Sequence, residues 1–392
     1  VIPYCRHEIE ETDLEAVSSI LTSDWITQGP AGEAFERALC QVTGARHAVA
    51  VSSGTSALLI ALQALGVGPG DEVIVPSLTF LATANAVLLC GARPVFADVD
   101  PKTLSLDPVD VSRRTGPRTR GAILVHYAGH VGDVEGCRAA LGPGRFVLED
   151  ACHALGATVG GVGLGSESEA ACFSFHPAKH VTTGEGGAIT SRDEGFVEAC
   201  RRLRSHGVER DPQRWQGLGL PETLRDEERG GWVYEMQALS ANHRLSDIGA
   251  ALGTSQLARL DGILRARRAL AQRYSDQLLD EPRVERLAER PGTGSAWHLY
   301  PIRIDCSRVR GGRAAIHRRL REGGVGAQVH YIPIHLQPWY RQHLGTGFGD
   351  LPATEAAYLE LLSLPLFPSL ARVDQDHVLA VLRAALDAET GA

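Results

Sequence analysis

The sequence predicts an α/β protein in which a mostly parallel sheet is covered by helices and a smaller α+β unit follows. Three observations carry this expectation. Between residues 48 and 150, short apolar runs alternate with segments of helical period, the pattern of successive βα units. The first and last of these runs end in residues that carry chemistry, Ser52–Ser56 and Glu149–Asp150, and open α/β sheets bind ligands beyond the carboxyl ends of their strands. Beyond Pro291 the order changes to strand, helix, strand, helix and helix, which suits a second, smaller unit. The 392 residues are enough for two domains. The expected division is residues 1–245 as a large domain with an N-terminal arm (1–30), and 246–392 as an interdomain helix and a small C-terminal domain.

Glu8–Thr22 is expected to be a helix, with Leu14, Val17, Ile20 and Leu21 as its apolar stripe. Trp25–Pro30 interrupts it and Ala31–Val42 resumes it. Ala48–Val51 reads as a strand running into Ser52, Ser53, Gly54, Thr55 and Ser56 and then a helix. Free N–H groups and the helix dipole there favour a phosphate, although a lone SGTS also serves as an ordinary helix cap. No lysine follows at P-loop spacing. Strands are expected at Glu72–Val75, Pro94–Val99, Gly121–His126 and Arg145–Leu148, with helices at Thr79–Cys90 and Asp133–Leu141. Glu194–Arg204 is a helix, Ser205–Glu235 a charged loop region, and Arg244 to about Leu279 one long helical stretch. The C-terminal part reads as strand Trp297–Ile304, helix Gly312–Glu322, strand Gly326–Val329 and helices Ala353–Leu361 and Asp374–Leu386. His330–Tyr340, HYIPIHLQPWY, is stiff and aromatic, suited to walling a pocket or to linking domains.

A formal charge of −8 without a basic block argues against nucleic acid as a main partner. No apolar run reaches the roughly 18 residues of a membrane span. Acids stand where a secretory signal would be basic and then apolar, so a cytoplasmic protein is expected. The eight cysteines are scattered and read as reduced packing residues. His126, His130 and His153 fall at or beyond strand ends, but no ligand set for a metal accompanies them.

The chemistry centres on Ala171–Ala188, ACFSFHPAKHVTTGEGGA, which begins apolar, ends in glycines and holds one lysine, Lys179. A lysine that forms and exchanges imines needs a fixed backbone, a desolvated pocket and a neighbour that adjusts its proton. Ser174 ends the apolar run, where a strand delivers a hydroxyl to a ligand. Asp150, 29 positions before Lys179, ends another strand. An isolated acid there caps the next helix as readily. Paired with the lysine, it fits pyridoxal phosphate (PLP): Lys179 holding the aldehyde as a Schiff base, Asp150 keeping the pyridine nitrogen protonated. Phe80, just past a strand end, is placed to lie on a cofactor ring or to fill the core.

Taken together, IPYCR, WITQGP, SSGTSAL, VIVPSLTFLATANAV, VHYAGH, EDACHALGA, FSFHPAKHVTTGEGG, ANHRLSDIGAALG and HYIPIHLQPWY resemble the DegT/StrS-type sugar aminotransferases nearly end to end. The resemblance implies the fold type I architecture of PLP enzymes, with a seven-stranded sheet. Within the family, the IPY start, RSHGVERD, WVYEM and HYIPIHLQPWY are most similar to the C4 aminotransferases that act on UDP-linked 4-keto-6-deoxy amino sugars in the pseudaminic acid pathway. By position, the resemblance makes Lys179 the cofactor lysine and proton shuttle, Asp150 the partner of the pyridine nitrogen, and His153 the neighbour of the ring oxygen. Phe80 would stack on the ring, and Gly54, Thr55, Ser56 and Ser174 would hold the phosphate. Asn242 would reach the phosphate of a partner subunit, so a homodimer with shared active sites is implied. His330 and Tyr331 would line the sugar pocket, joined by Tyr4, Arg6 and Thr27. The implied reaction is ping-pong transamination between PLP and pyridoxamine phosphate (PMP), from L-glutamate to a nucleotide-linked keto sugar. Arginines within Arg201–Arg229 are candidates for its diphosphate.

Four positions depart from the family pattern: His243 stands for tyrosine, Gly249 and His130 for glutamine, and Cys5 for glycine. None touches the Lys179–Asp150 pair. Related dehydratases carry histidine where this chain has Lys179. Two alternatives stay open, namely transamination of another sugar position or of a ketocyclitol, and a PLP-binding regulator without turnover.

Overall fold

The computed structural model describes residues 1–220 and 230–390. Seven strands form the main sheet: β1 (His47–Val51), β2 (Glu72–Pro76), β3 (Arg93–Ala97), β4 (Thr119–Val125), β5 (Phe146–Asp150), β6 (Ala170–Ser174) and β7 (Gly187–Ser191). Their order is β1-β7-β6-β5-β4-β2-β3. The pairs β2–β3, β2–β4, β4–β5 and β5–β6 are parallel, and only β7 runs against its neighbours β6 and β1. The mostly parallel seven-stranded sheet is therefore present. Alternation along each strand splits the side chains between two layers. Val49, Ile123 and Cys172 enter one apolar cluster, while Ala48, Ala50, Ala171 and Phe173 enter another, and Ala122 and Leu124 a third.

The helices are α1 (Glu11–Leu21), α2 (Pro30–Thr43), α3 (Gly54–Ala64), α4 (Ala82–Leu89), α5 (Pro108–Arg114), α6 (Val134–Leu141), α7 (Glu194–Arg204), α8 (Asp247–Ala258), α9 (Leu260–Gln277), α10 (Gly312–Glu322), α11 (Pro338–Leu344), α12 (Pro352–Glu360) and α13 (Arg372–Thr390). Helices α4 and α7 both pack on α3 over one face. On the other face, α5 packs on α6, and α2 packs on both α8 and β1. A three-stranded antiparallel sheet, β8 (Val284–Arg286), β9 (Tyr300–Ile304) and β10 (Leu361–Leu364), shares a separate cluster with α9, α10 and α13.

Several boundaries differ from expectation. The long helix expected from Arg244 breaks at Arg259, whose guanidinium pairs with Glu10 at 2.6 Å and with buried Asp13. Asp13 also accepts hydrogen bonds from Ser255 (2.6 Å) and Gln256 (2.8 Å), so α1 docks through a polar residue. Leu14 and Leu21 of the expected stripe face solvent instead. The expected strand Gly326–Val329 reduces to a single bridge between Gln328 and Ser363. Its start is occupied by the N-terminal arm, where the Gly326 N–H donates to the Ile2 carbonyl at 2.8 Å. β9 begins only at Tyr300, because Trp297 has a positive φ of 48°. The helix expected at Thr79–Cys90 starts at Ala82, leaving Thr79 and Phe80 in the preceding turn. β7 and α5 were not anticipated; β7 lies in a glycine-rich stretch and α5 spans only seven residues.

Removing one partner of a buried ion pair leaves the other uncompensated. Arg259→Met is therefore expected to destabilise the protein by about 3 kcal/mol, read as a lower urea midpoint. No helix of the described residues is long and apolar enough to cross a membrane.

Candidate functional site

The carboxyl ends of β5 and β6 open into a cavity of about 410 Å3. Its wall brings together Gly54, Thr55, Phe80, Asp150, His153, Ser174, Lys179, His330 and Tyr331, with Tyr4 reaching in from the N-terminal arm. Asp150 ends β5 and is 5% exposed. Its carboxylate accepts hydrogen bonds from the Thr83 hydroxyl (2.9 Å) and the Cys152 N–H (3.2 Å). Glu149, one residue earlier, belongs to the opposite face of the strand and meets buried His126 at 2.9 Å.

Lys179 lies in the turn after β6, its N–H donating to the His176 carbonyl at 2.8 Å. Burial pushes its amine below the ordinary lysine value, against the opposing pull of Cys152, Asp150 and Cys5. A lowered amine pKa raises the fraction of free nucleophile at neutral pH.

Helix α3 opens at Gly54 beside this lysine. The Ser53 hydroxyl accepts the Ser56 N–H at 3.0 Å, so the ordinary capping role is present alongside the phosphate seat. A Cβ at Gly54 would lie 2.9 Å from the Cβ of Ser174, and one at Gly187 would lie 2.3 Å from the Ser53 carbonyl oxygen. Only glycines let the helix start and the ends of β6 and β7 close on one another. No acid occupies the first turn of α3, which leaves its dipole uncompensated.

His153 stands between Tyr331, whose hydroxyl is 3.1 Å from its Nε2, and His298, whose ring centroid is 4.4 Å away. Burial, then the charge of Lys179, holds His153 far below the usual histidine value. His330 is pushed down to about 4 by burial and by Lys179, and its Nδ1 sits 2.9 Å from the Ser363 hydroxyl. Burial raises the Tyr331 and Tyr4 hydroxyls, so both stay protonated. Phe80 is 57% exposed at the mouth, 6.0 Å from the Tyr331 ring.

Four expected residues lie off this wall. The Ser56 hydroxyl is taken up by Ser52 and Ser53 (3.0 Å each) and by His243 (3.1 Å). Arg6 rests 5.8 Å from the Phe367 ring and lines a smaller neighbouring cavity. Thr27 is exposed in the link between α1 and α2. Asn242 is exposed, its side-chain oxygen accepting the Arg244 N–H at 3.2 Å. Of the candidate arginines, Arg201 and Arg204 pair with Glu36 and Arg202 with Glu209. Arg225 and Arg229 lie outside the described residues. Sequence reasoning missed Thr83, Cys152 and His298. Cys152 lies inside the quoted EDACHALGA, and Thr83 stands one helical turn after Phe80, so both had a readable position.

His130, pushed down to about 4 by burial, has both ring nitrogens unpartnered. Its folded value lies below the unfolded 6.5, so the unfolded chain binds the extra proton. Stability should fall by up to about 3 kcal/mol as pH drops from about 6.5 toward 4. Thermal midpoints across that window should show this slope, and His130→Gln should reduce it.

A sheet of this order, with one reversed strand beside the lysine turn, is the architecture of fold type I PLP-dependent enzymes. The cavity fits that class, since its glycine-floored helix start suits a phosphate and its lysine and aspartate suit the aldehyde and the pyridine nitrogen. The chain belongs to the DegT/DnrJ/EryC1/StrS aminotransferase family, whose model matches residues 7–383. It is 37% identical over 384 residues to the spore coat polysaccharide biosynthesis protein SpsC of Bacillus subtilis, covering 97% of this chain and 96% of SpsC. Among solved structures it is similar to the PMP form of Spr1654 from Streptococcus pneumoniae (TM-score 0.90, 28% identity, 99% of this chain and 100% of that one). It is likewise similar to Helicobacter pylori PseC, an aminotransferase involved in the biosynthesis of pseudoaminic acid (TM-score 0.89, 29% identity, 99% of each chain).

Proposed function

We propose that this chain is a sugar aminotransferase moving an amino group from L-glutamate to the C4 keto carbon of a nucleotide-linked 4-keto-6-deoxy sugar, in two half-reactions. The observation that carries the reading is the convergence of Lys179, Asp150 and the α3 N-terminus on one cavity. The sugar class rests on the likeness to SpsC and PseC. Bound PLP supplies an electron sink for the charge that develops when the donor Cα–H bond breaks. Asp150, fixed by Thr83 and the Cys152 N–H, holds a proton at the pyridine nitrogen. Thr55, Ser174 and the N–H groups of Gly54 and Thr55 at the start of α3 would seat the phosphate, while the Ser56 N–H is taken by the Ser53 hydroxyl. Lys179 Nζ takes the donor's Cα proton, and in the second half-reaction delivers one to C4 of the sugar. Neutral His330 and the protonated Tyr331 and Tyr4 offer hydrogen bonds to sugar oxygens without placing charge beside them.

Asn242, exposed and off its own cavity, serves the phosphate of a second copy in this reading. The exposed Leu14, Leu21, Trp25 and Ile26 supply apolar surface for that homodimer. Sedimentation equilibrium should return a dimer. The eight free cysteines suit a reducing cytoplasm.

Gly54→Val would drive a side chain into Ser174 and the phosphate seat. Its dissociation constant for PLP, titrated into cofactor-free protein, should rise at least ~10-fold, about 1.4 kcal/mol. The function itself is tested by incubating the PLP-loaded protein with glutamate and a panel of UDP- and dTDP-linked keto sugars and free ketocyclitols, with mass detection. An aminated nucleotide sugar is expected. An aminated cyclitol alone would move the assignment to ketocyclitols, and no aminated product would overturn it.

A further inference from the structure

A second, much smaller cavity lies behind Lys179, which forms part of the wall of both. It measures about 10 Å3, room for about one water molecule. Its other walls mix apolar Ile263 and Pro368 with polar groups, among them Glu8 of the N-terminal arm, His180, Gln256 on α8 and Arg267 on α9. Two of these side chains carry a buried polar atom with no partner, Glu8 Oε1 and Arg267 Nε. One is an acceptor and the other a donor. Leaving either unmade is costly, and a single water can satisfy both.

The surroundings hold these two groups in place. Arg267 is 1% exposed, and its Nη1 is committed to the carbonyls of Trp297 (3.2 Å), His298 (3.2 Å) and Leu366 (3.1 Å). Gln256 Nε2 donates to the Glu8 carbonyl at 2.8 Å and to Asp13 at 2.8 Å, which fixes the arm against α8. His180 is committed through Nε2–H to the Ala296 carbonyl at 2.9 Å. Glu8 as a residue is only partly buried although its Oε1 is covered, so its carboxylate joins the interior to the surface.

We propose that this cavity binds one ordered water between Arg267 Nε and Glu8 Oε1, and that the water exchanges the proton of Lys179 with solvent during the reaction. The exchange role rests on the aminotransferase reading above. The step is a proton relay without change of oxidation state. The Lys179 ammonium gives a proton to the water as the water gives one to the Glu8 carboxylate, which releases it to solvent, and the reverse sequence reloads the lysine. A lysine sealed from solvent returns the same proton it removed from the donor. A lysine with this outlet exchanges it.

Two measurements test the proposal. In the first, PLP-loaded enzyme in ordinary water receives glutamate deuterated at Cα, and mass spectrometry reads deuterium retained in the PMP formed. Wild type should retain little. Glu8→Gln, which still accepts a hydrogen bond but takes no proton at neutral pH, should retain about fivefold more. Equal retention in the two proteins overturns the relay. In the second, a high-resolution crystal structure of cofactor-free protein should show a water within hydrogen-bond distance of both Glu8 and Arg267, and a dry cavity overturns the site. If wild type forms no PMP with glutamate or any other amino acid, the aminotransferase reading and the relay both fail. The crystal structure still decides the water site independently.

Discussion

Lys179→Ala is expected to lower kcat/KM for amino-sugar formation by about 10^4-fold or more, since it removes both the covalent anchor and the base. No other described amine lines the cavity, whose remaining ionisable wall is made of His153, His176, His298 and His330, two carboxylates, a thiol and two tyrosines. His153, His298 and His330 are each held well below the usual histidine value by burial, too weakly basic to replace a lysine as proton shuttle. A high concentration of methylamine should restore part of the lost rate, because a free amine can enter the space the side chain vacates. Rescue separates lost chemistry from lost folding. So does the unfolding midpoint, which should hold or rise, because the folded state disfavours this lysine's charge. Turnover at the wild-type rate in Lys179→Ala would end the reading of this site.

Strands β1 to β6 of the main sheet and the placing of Lys179 and Asp150 on one cavity were legible in the sequence because both obey local rules. Apolar runs bounded by turn residues mark strands, and chemistry collects where parallel strands end. What escaped was set by long-range contact. The apolar stripe of α1 pointed to Leu14 and Leu21, yet Asp13 is the buried residue, because Ser255, Gln256 and Arg259 come from more than 240 positions away. The expected strand at Gly326–Val329 was displaced by residues 2–4, and no local pattern shows that the N-terminus lies beside it. His298 reached the cavity wall only through a backbone excursion at Trp297 and the anchoring of both carbonyls by Arg267, 30 residues earlier. Thr83 reads as one more polar residue in an apolar helix until Asp150 is seen to accept its hydroxyl.

Asp150→Asn should reduce kcat by about 10^3-fold with little change in KM for the sugar, because it removes the negative charge that keeps a proton on the pyridine nitrogen. The side chains are nearly isosteric, so packing is retained. The amide nitrogen would face one of the two donors that now hold the carboxylate, the Thr83 hydroxyl or the Cys152 N–H. That local conflict costs about 1–3 kcal/mol of stability, below the catalytic loss of about 4 kcal/mol. Thr83→Val provides the matched control. It leaves the charge and removes one hydrogen bond, so its kcat should fall only about tenfold. Glu149→Gln, one residue earlier and on the opposite face against His126, should alter stability more than kcat. If Asp150→Asn and Thr83→Val lost activity equally, orientation of the carboxylate rather than its charge would govern the site.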